Sequence, residues 1–211
     1  MKTIEEIWSI VNGLKELYPD GVCSLDYRKD YELLFSVRLA AQCTDERVNK
    51  ITPALFARFP TLEAFAEADV AEVEEYVRSC GFYHSKARDI VACANVLLEK
   101  YGGELPRTME ELTALPGVGR KTANLILGDV FKVPGSTVVD THCIRISNLL
   151  GLVDDLKDPV KIEMELRKIL PPEHSSDFCH CIVLHGRAVC IARRPECERC
   201  CVRHLCRHYS G

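Results

Sequence analysis

Apolar residues recur every three or four positions through almost all of this 211-residue chain, and that period limits what it can fold into. Ile4, Ile7, Trp8, Val11, Leu14 and Tyr18 share one helical face behind Thr3, whose hydroxyl suits an N-cap, until Pro19 and Asp20 stop the helix. Asp30 opens a second stretch, YELLFSVRLAAQC, and Ser85 opens KARDIVACANVLLEKYGG, which ends on a glycine pair. DTHCIRISNLLGL and PVKIEMELRKILPP read the same way. Alternating strand patterns are nearly absent, and TVV before Asp140 is too short to build a sheet. The pattern predicts an all-α protein of about ten short helices, with no repeat period, low-complexity tract or long linker.

Charge leaves the partner open. With 27 basic against 31 acidic residues the net charge is −4, whereas a nucleic-acid backbone is bound by concentrated Lys and Arg. The distribution is uneven, however. Residues 62–77 hold six acids and no base, while 190–211 hold five arginines against Glu196 and Glu198. A protein with one acidic and one basic face can bind DNA with the second. The segment after Met1 carries acids where a secretory signal would be apolar, and nothing resembles an apolar membrane span. The expectation is a cytoplasmic protein, nucleoid-associated if bacterial, with no membrane partner.

Five of the twelve cysteines crowd into CIARRPECERCCVRHLC, residues 190–206. Cys190, Cys197, Cys200 and Cys206 form a C-x6-C-x2-C-x5-C spacing, with Cys201 left over. In a reducing compartment such a cluster points to a metal rather than to disulfides. Spacing alone leaves two metals open. Zinc knuckles usually pair two C-x2-C units, and only one is present; four thiolates equally suit a [4Fe–4S] cluster. The remaining cysteines (23, 43, 80, 93, 143, 179, 181) are scattered and fit helix cores as small hydrophobes.

Residues 108–131, TMEELTALPGVGRKTANLILGDVF, place two helical patterns around Pro116-Gly117-Val118-Gly119. Pro116 ends the first helix, and the two glycines permit positive φ and close approach of another backbone. The second helix starts near Arg120, so its free amides and positive dipole end leave the hairpin together. That is a phosphate site made of main chain, with Arg120 beside it; an ordinary helix-turn-helix connection is the plainer alternative.

LPGVGRKTAN (115–124) resembles the helix-hairpin-helix signature of the endonuclease III group of DNA glycosylases. LAAQCTD (39–45), VDTH (139–142), LHGR (184–187) and the cysteine spacing match the same family in the same order, so the likeness spans about residues 3–208. It implies two helical lobes with a DNA-binding cleft between them. A six-helix lobe over 22–132 would hold the hairpin (108–131), and residues 1–21 with 133–211 would form the second lobe. Members with this spacing carry a [4Fe–4S] cluster, here on Cys190, Cys197, Cys200 and Cys206, whose loop (190–206) would present Arg193 and Arg194 to phosphate.

The resemblance also implies chemistry. The family's Schiff-base lysine falls on Lys121, in the first turn of the hairpin's second helix; a cation is disfavoured there, and burial would add to that effect. Its catalytic aspartate falls on Asp140, which reads equally as a helix N-cap. Gln42 is the candidate to fill the gap left by a flipped nucleotide, and Phe82 lies where relatives place an apolar wedge, though a core aromatic fits Phe82 as well. The implied activity is a bifunctional glycosylase and abasic-site lyase acting as a monomer on double-stranded DNA with a damaged base, an oxidised pyrimidine, or an abasic site. Two rivals are a non-catalytic DNA-binding module and a monofunctional enzyme like the adenine glycosylases. The sequence departs from the pattern in four places: one extra residue between Lys121 and Asp140, at Gly135; Leu149 where many members have arginine; and Cys43 and Cys80 where small or aliphatic residues are usual.

Overall fold

The computed structural model describes residues 2–210, and among these no strand occurs. In chain order the helices are α1 (Ile4–Leu17), α2 (Asp30–Ala40), α3 (Asp45–Arg58), α4 (Leu62–Ala66), α5 (Val70–Val77), α6 (Tyr83–Tyr101), α7 (Met109–Thr113), α8 (Arg120–Asp129), α9 (Thr141–Leu150), α10 (Pro159–Ile169), α11 (Ser175–Ala188) and α12 (Arg207–Ser210). Short 3-10 turns cover Arg78–Cys80, Pro172–His174, Cys197–Arg199 and Arg203–Leu205. The all-α expectation is met.

Local sequence explains most boundaries. Thr3 caps α1 in a reciprocal box: its hydroxyl accepts from Glu6 N–H at 3.2 Å, and the Glu6 carboxylate accepts from Thr3 N–H at 2.7 Å. The buried face of α1 is Ile7, Ile10, Val11 and Leu14. Ile4 (75% exposed) and Trp8 (40%) fall outside it, so the stripe is rotated relative to the one read from sequence. Helix α6 begins at Tyr83, two residues ahead of Ser85. Phe82 turns the chain at φ 47°, and the Ser85 hydroxyl donates back to the Phe82 carbonyl at 2.9 Å. The glycine pair ends α6 as expected: Gly102 takes φ 60°, and Gly103 N–H donates to the Leu97 carbonyl at 3.0 Å.

The chain divides into two compact units, one running from Ser24 to Val130 and the other joining the chain up to Cys23 with the chain from Phe131 on. The first holds α2–α8, of which α4 and α7 are only five residues long. Its core is aromatic: Phe35, Phe59 and Phe65 are all buried, with Phe35 and Phe65 edge to face at 5.1 Å. Burying each such side chain stabilises the fold by roughly 1.5–3 kcal/mol. In the second unit α1 and α9 both pack on α11, burying Ile10, Leu14, Ile146, Phe178 and Ile182. A Cβ on Gly13 would lie 3.2 Å from Val202, so the glycine lets α1 approach the cysteine-rich segment closely.

Candidate nucleic-acid interface and thiol cavity

In the Ser24–Val130 unit the hairpin turn is held from beneath. Gly117 takes φ 73°, and a Cβ there would fall 2.8 Å from both Arg38 Nε and Asp89 Oδ2. Those two groups form an ion pair, with Arg38 Nε donating to Asp89 Oδ2 at 2.8 Å. Gly117 therefore has a conformational and a steric reason to be glycine. Gly119 has neither: its φ is −98°, not the positive value read as permitted, and a Cβ would meet nothing within 4 Å. It N-caps α8 with no side-chain hydrogen bond. Elsewhere Thr3, Thr44, Thr61, Asp69, Thr108, Asp140 and Asp158 cap their helices with a side-chain oxygen. The first-turn amides of α8 are thus without the acceptor that those helices have, behind an exposed glycine. Arg120 is half-buried beside them and Lys121 is exposed, so the burial contemplated for Lys121 is not found.

The same unit holds two exposed residues in the left-handed region, Gln42 at φ 56° and Phe82 at φ 47°. Phe82 is 67% exposed, which removes the core-aromatic alternative. Non-glycine residues adopt such angles at a cost, and they concentrate at functional positions. Cys80 is buried and Cys43 half-buried near them; burial, then the neighbouring Cys43, pushes the Cys80 thiol up.

In the other unit Asp140 is the N-cap of α9, its Oδ1 accepting from Cys143 N–H at 2.8 Å. The VDTH and LHGR motifs meet here, because Gly186 leaves the space that the His142 ring fills. Gly135 stands at φ 79° with its N–H bonded to the Pro172 carbonyl at 2.8 Å, which anchors the extra residue.

Cys190, Cys197, Cys200 and Cys206 line one cavity of about 400 Å³, counting its open mouth. Ile146, Leu149, Leu150 and Val189 form apolar walls, which places Leu149, one of the departures from the family pattern, beside the thiols. Among the described residues no three His, Cys, Asp or Glu side chains converge on a single-ion position. Burial pushes the Cys200 thiol up to about 11 and raises Cys190. Two polar side chains meet the set: Arg145 Nη1 donates to Cys190 Sγ at 3.4 Å, and His185 Nε2 lies 3.4 Å from Cys200 Sγ. Tyr18 OH sits 3.3 Å from His185 Nδ1, and burial lowers the His185 pKa, favouring the neutral ring. Arg145 and His185 were not singled out from sequence; His185 carried a signal, since it lies in LHGR. The leftover Cys201 is exposed and does not line the cavity of the other four. Cys23 and Cys43 are only half-buried, whereas the other five scattered cysteines are core residues.

The arginines of residues 190–207 divide into two groups. Arg199 pairs with Glu196, Arg203 with Glu198 and Arg207 with Asp154. Arg193 and Arg194 are exposed, and among the described residues neither has an ion-pair partner.

Residues 35–172 match the HhH-GPD superfamily of base excision DNA repair proteins. Endonuclease III of Synechocystis sp. is 48% identical over 193 residues, covering 92% of this chain and 88% of its own. The chain belongs to the endonuclease III family. Endonuclease III of Escherichia coli is 40% identical over 199 residues, covering 94% of this chain and 93% of its own. A solved structure of a non-covalent endonuclease III–DNA complex superposes with a TM-score of 0.92 at 40% identity, over 100% of this chain and 98% of that one. A thermostable thymine-DNA glycosylase, 22% identical with a TM-score of 0.84, shares the fold. The endonuclease III family carries a [4Fe–4S] cluster. No helix of the described residues is long and apolar enough to cross a membrane.

Proposed function

We propose that this member of the endonuclease III family is a bifunctional DNA glycosylase of base excision repair, with Lys121 as nucleophile and Asp140 as its charged partner. The observation that carries the reading is the start of α8: an exposed lysine in its first turn, behind a glycine that supplies no side-chain cap, in a hairpin that lies inside the residues matched to the family. Helix amides there bind a DNA phosphate and hold the strand against the lysine. Gln42 and Phe82 fill the duplex where a nucleotide leaves the stack.

The chemistry then follows from the two side chains. Neutral Lys121 Nζ bonds to the sugar C1′ as the C1′–N bond breaks, and the base leaves with that electron pair and takes up a proton. Asp140 stabilises the positive charge that develops on the sugar and helps proton transfer, the lysine nitrogen losing a proton as the departing base gains one. Opening of the C1′–O4′ bond gives an imine. Loss of a C2′ proton then expels the 3′ phosphate by breaking C3′–O3′, and water hydrolyses the imine to restore the lysine.

Cys190, Cys197, Cys200 and Cys206 would hold the [4Fe–4S] cluster. Apolar walls disfavour bare thiolates, so the group that keeps them ionised must be cationic, and iron fits four sulfurs disposed around a cavity. With the cluster bound, these four cysteines would hold residues 190–206 in place, and with them Arg193 and Arg194, left for phosphate. The other eight cysteines, none of them in a disulfide, suit a reducing compartment such as the cytoplasm.

A duplex with one oxidised pyrimidine tests this reading. The damaged strand should be nicked 3′ to the lesion without added alkali. Base release that becomes a nick only after alkali would make the enzyme monofunctional, and binding without release would make it a non-catalytic module.

A further inference from the structure

Lys86, in the first turn of α6, has no solvent-exposed surface. Lysine is ordinarily a surface residue, and a buried ammonium needs compensation. No carboxylate among the described residues lies within 4 Å of it; its partners are two main-chain carbonyls, Leu39 O at 2.8 Å and Cys80 O at 2.7 Å. Leu39 is in the last turn of α2, and Cys80 ends the 3-10 turn Arg78–Cys80. Both carbonyls are helix-end acceptors on the negative side of a backbone dipole, which is why a cation is tolerated there. Burial also pushes the Lys86 pKa down.

The position of those carbonyls in the chain gives the lysine a further meaning. Leu39 stands three residues before Gln42 and Cys80 two before Phe82. One nitrogen therefore ties the two segments that lead directly into the two exposed left-handed residues of this loop pair. Residues at such angles persist only where their surroundings over-determine them.

We infer that Lys86 is a positioning residue for duplex opening, its ammonium fixing the spacing of the segments that carry Gln42 and Phe82. The inference rests on the reading of Gln42 and Phe82 as the groups that fill the opened duplex. Lys86 touches no DNA. It acts through the Leu39 and Cys80 carbonyls.

The test uses the full-length protein and a duplex with 2-aminopurine opposite an abasic-site analogue, whose fluorescence rises on unstacking. Lys86→Met keeps the chain length and removes both hydrogen bonds. It should weaken the opening signal about tenfold, the scale of one lost charged hydrogen-bond pair. Affinity for undamaged duplex, which needs no opening, should stay within about twofold of wild type. Gln42→Ala and Phe82→Ala are measured alongside. If they lose the signal and Lys86→Met keeps it, the inference is overturned while the reading of the two loops stands. If both alanine variants open the duplex like wild type, the reading of the loops fails and takes the inference with it. An equal loss of affinity for undamaged duplex by Lys86→Met would show a merely structural lysine and also overturn it. Should Lys86→Met not fold, Lys86→Gln, whose amide reaches one carbonyl at most, decides on the same two readouts.

Discussion

Gly186 and His142 share one space: a Cβ on Gly186 would overlap His142 Nδ1 and lie 3.0 Å from its Cγ. Gly186 is in the last turn of α11, where alanine is better than glycine by at most about 1 kcal/mol. Overpacking costs about 1–3 kcal/mol and should outweigh that gain. Thermal denaturation of Gly186→Ala should therefore show a lower Tm. A raised Tm would mean that His142 moves aside freely.

Gly119 separates binding from folding. A side chain there enters open space at an ordinary φ, and aspartate is a better N-cap than glycine by a few tenths of a kcal/mol. Gly119→Asp should fold at least as stably as wild type, yet bind every DNA sequence more weakly, because phosphate contacts carry no base information. Equal affinity at moderate salt would reduce the hairpin to a connector.

Much of this was legible in the sequence, because helix type, caps and stops are local. Thr3, Asp140 and the Gly102–Gly103 stop stand where residue chemistry put them. What depended on distant contacts was not legible. Period alone could not choose Ile10 over Ile4 for the core face of α1, since the neighbours of α1 lie more than a hundred residues away on α11. Gln42 and Phe82 take left-handed angles that no glycine or asparagine announced. Nothing in KARDI marks Lys86 as buried; its burial depends on carbonyls from two other turns. The support beneath Gly117 required Arg38 and Asp89 from α2 and α6 to meet.

The cysteine cavity makes a spectroscopic claim. Protein purified with ample iron should be brown with broad visible absorption, and Cys197→Ser should lose both colour and soluble yield. Stoichiometric zinc without acid-labile sulfide would contradict the assignment.

Alkaline stability reports the buried thiols. Burial, then the charge of Asp89, pushes Cys93 up to about 12, and burial pushes Cys181 up to about 11. An unfolded thiol titrates near about 8.5, so above that pH the unfolded chain sheds protons that the folded chain keeps. The stabilisation is complete below about 8.5 and is lost as pH rises toward the folded values, at up to about 1.4 kcal/mol per pH unit for each thiol. Denaturant unfolding between pH 8 and 11 should show this decline, and Cys93→Ala should make it shallower. An unchanged slope in that variant would mean Cys93 titrates alike in both states.

The central claim concerns Lys121 and Asp140. Asp140→Asn keeps a good N-cap, so stability should barely change, while excision slows more than cleavage at a preformed abasic site, where no glycosidic bond remains to be broken. Lys121 is tested more directly, because an imine requires a neutral amine whereas attraction to DNA requires only a cation. Borohydride trapping on an abasic duplex reads the imine itself. Wild type should form a covalent cross-link, and Lys121→Arg should bind the same duplex comparably and form none; cross-linking by Lys121→Arg at the wild-type level would place the nucleophile elsewhere.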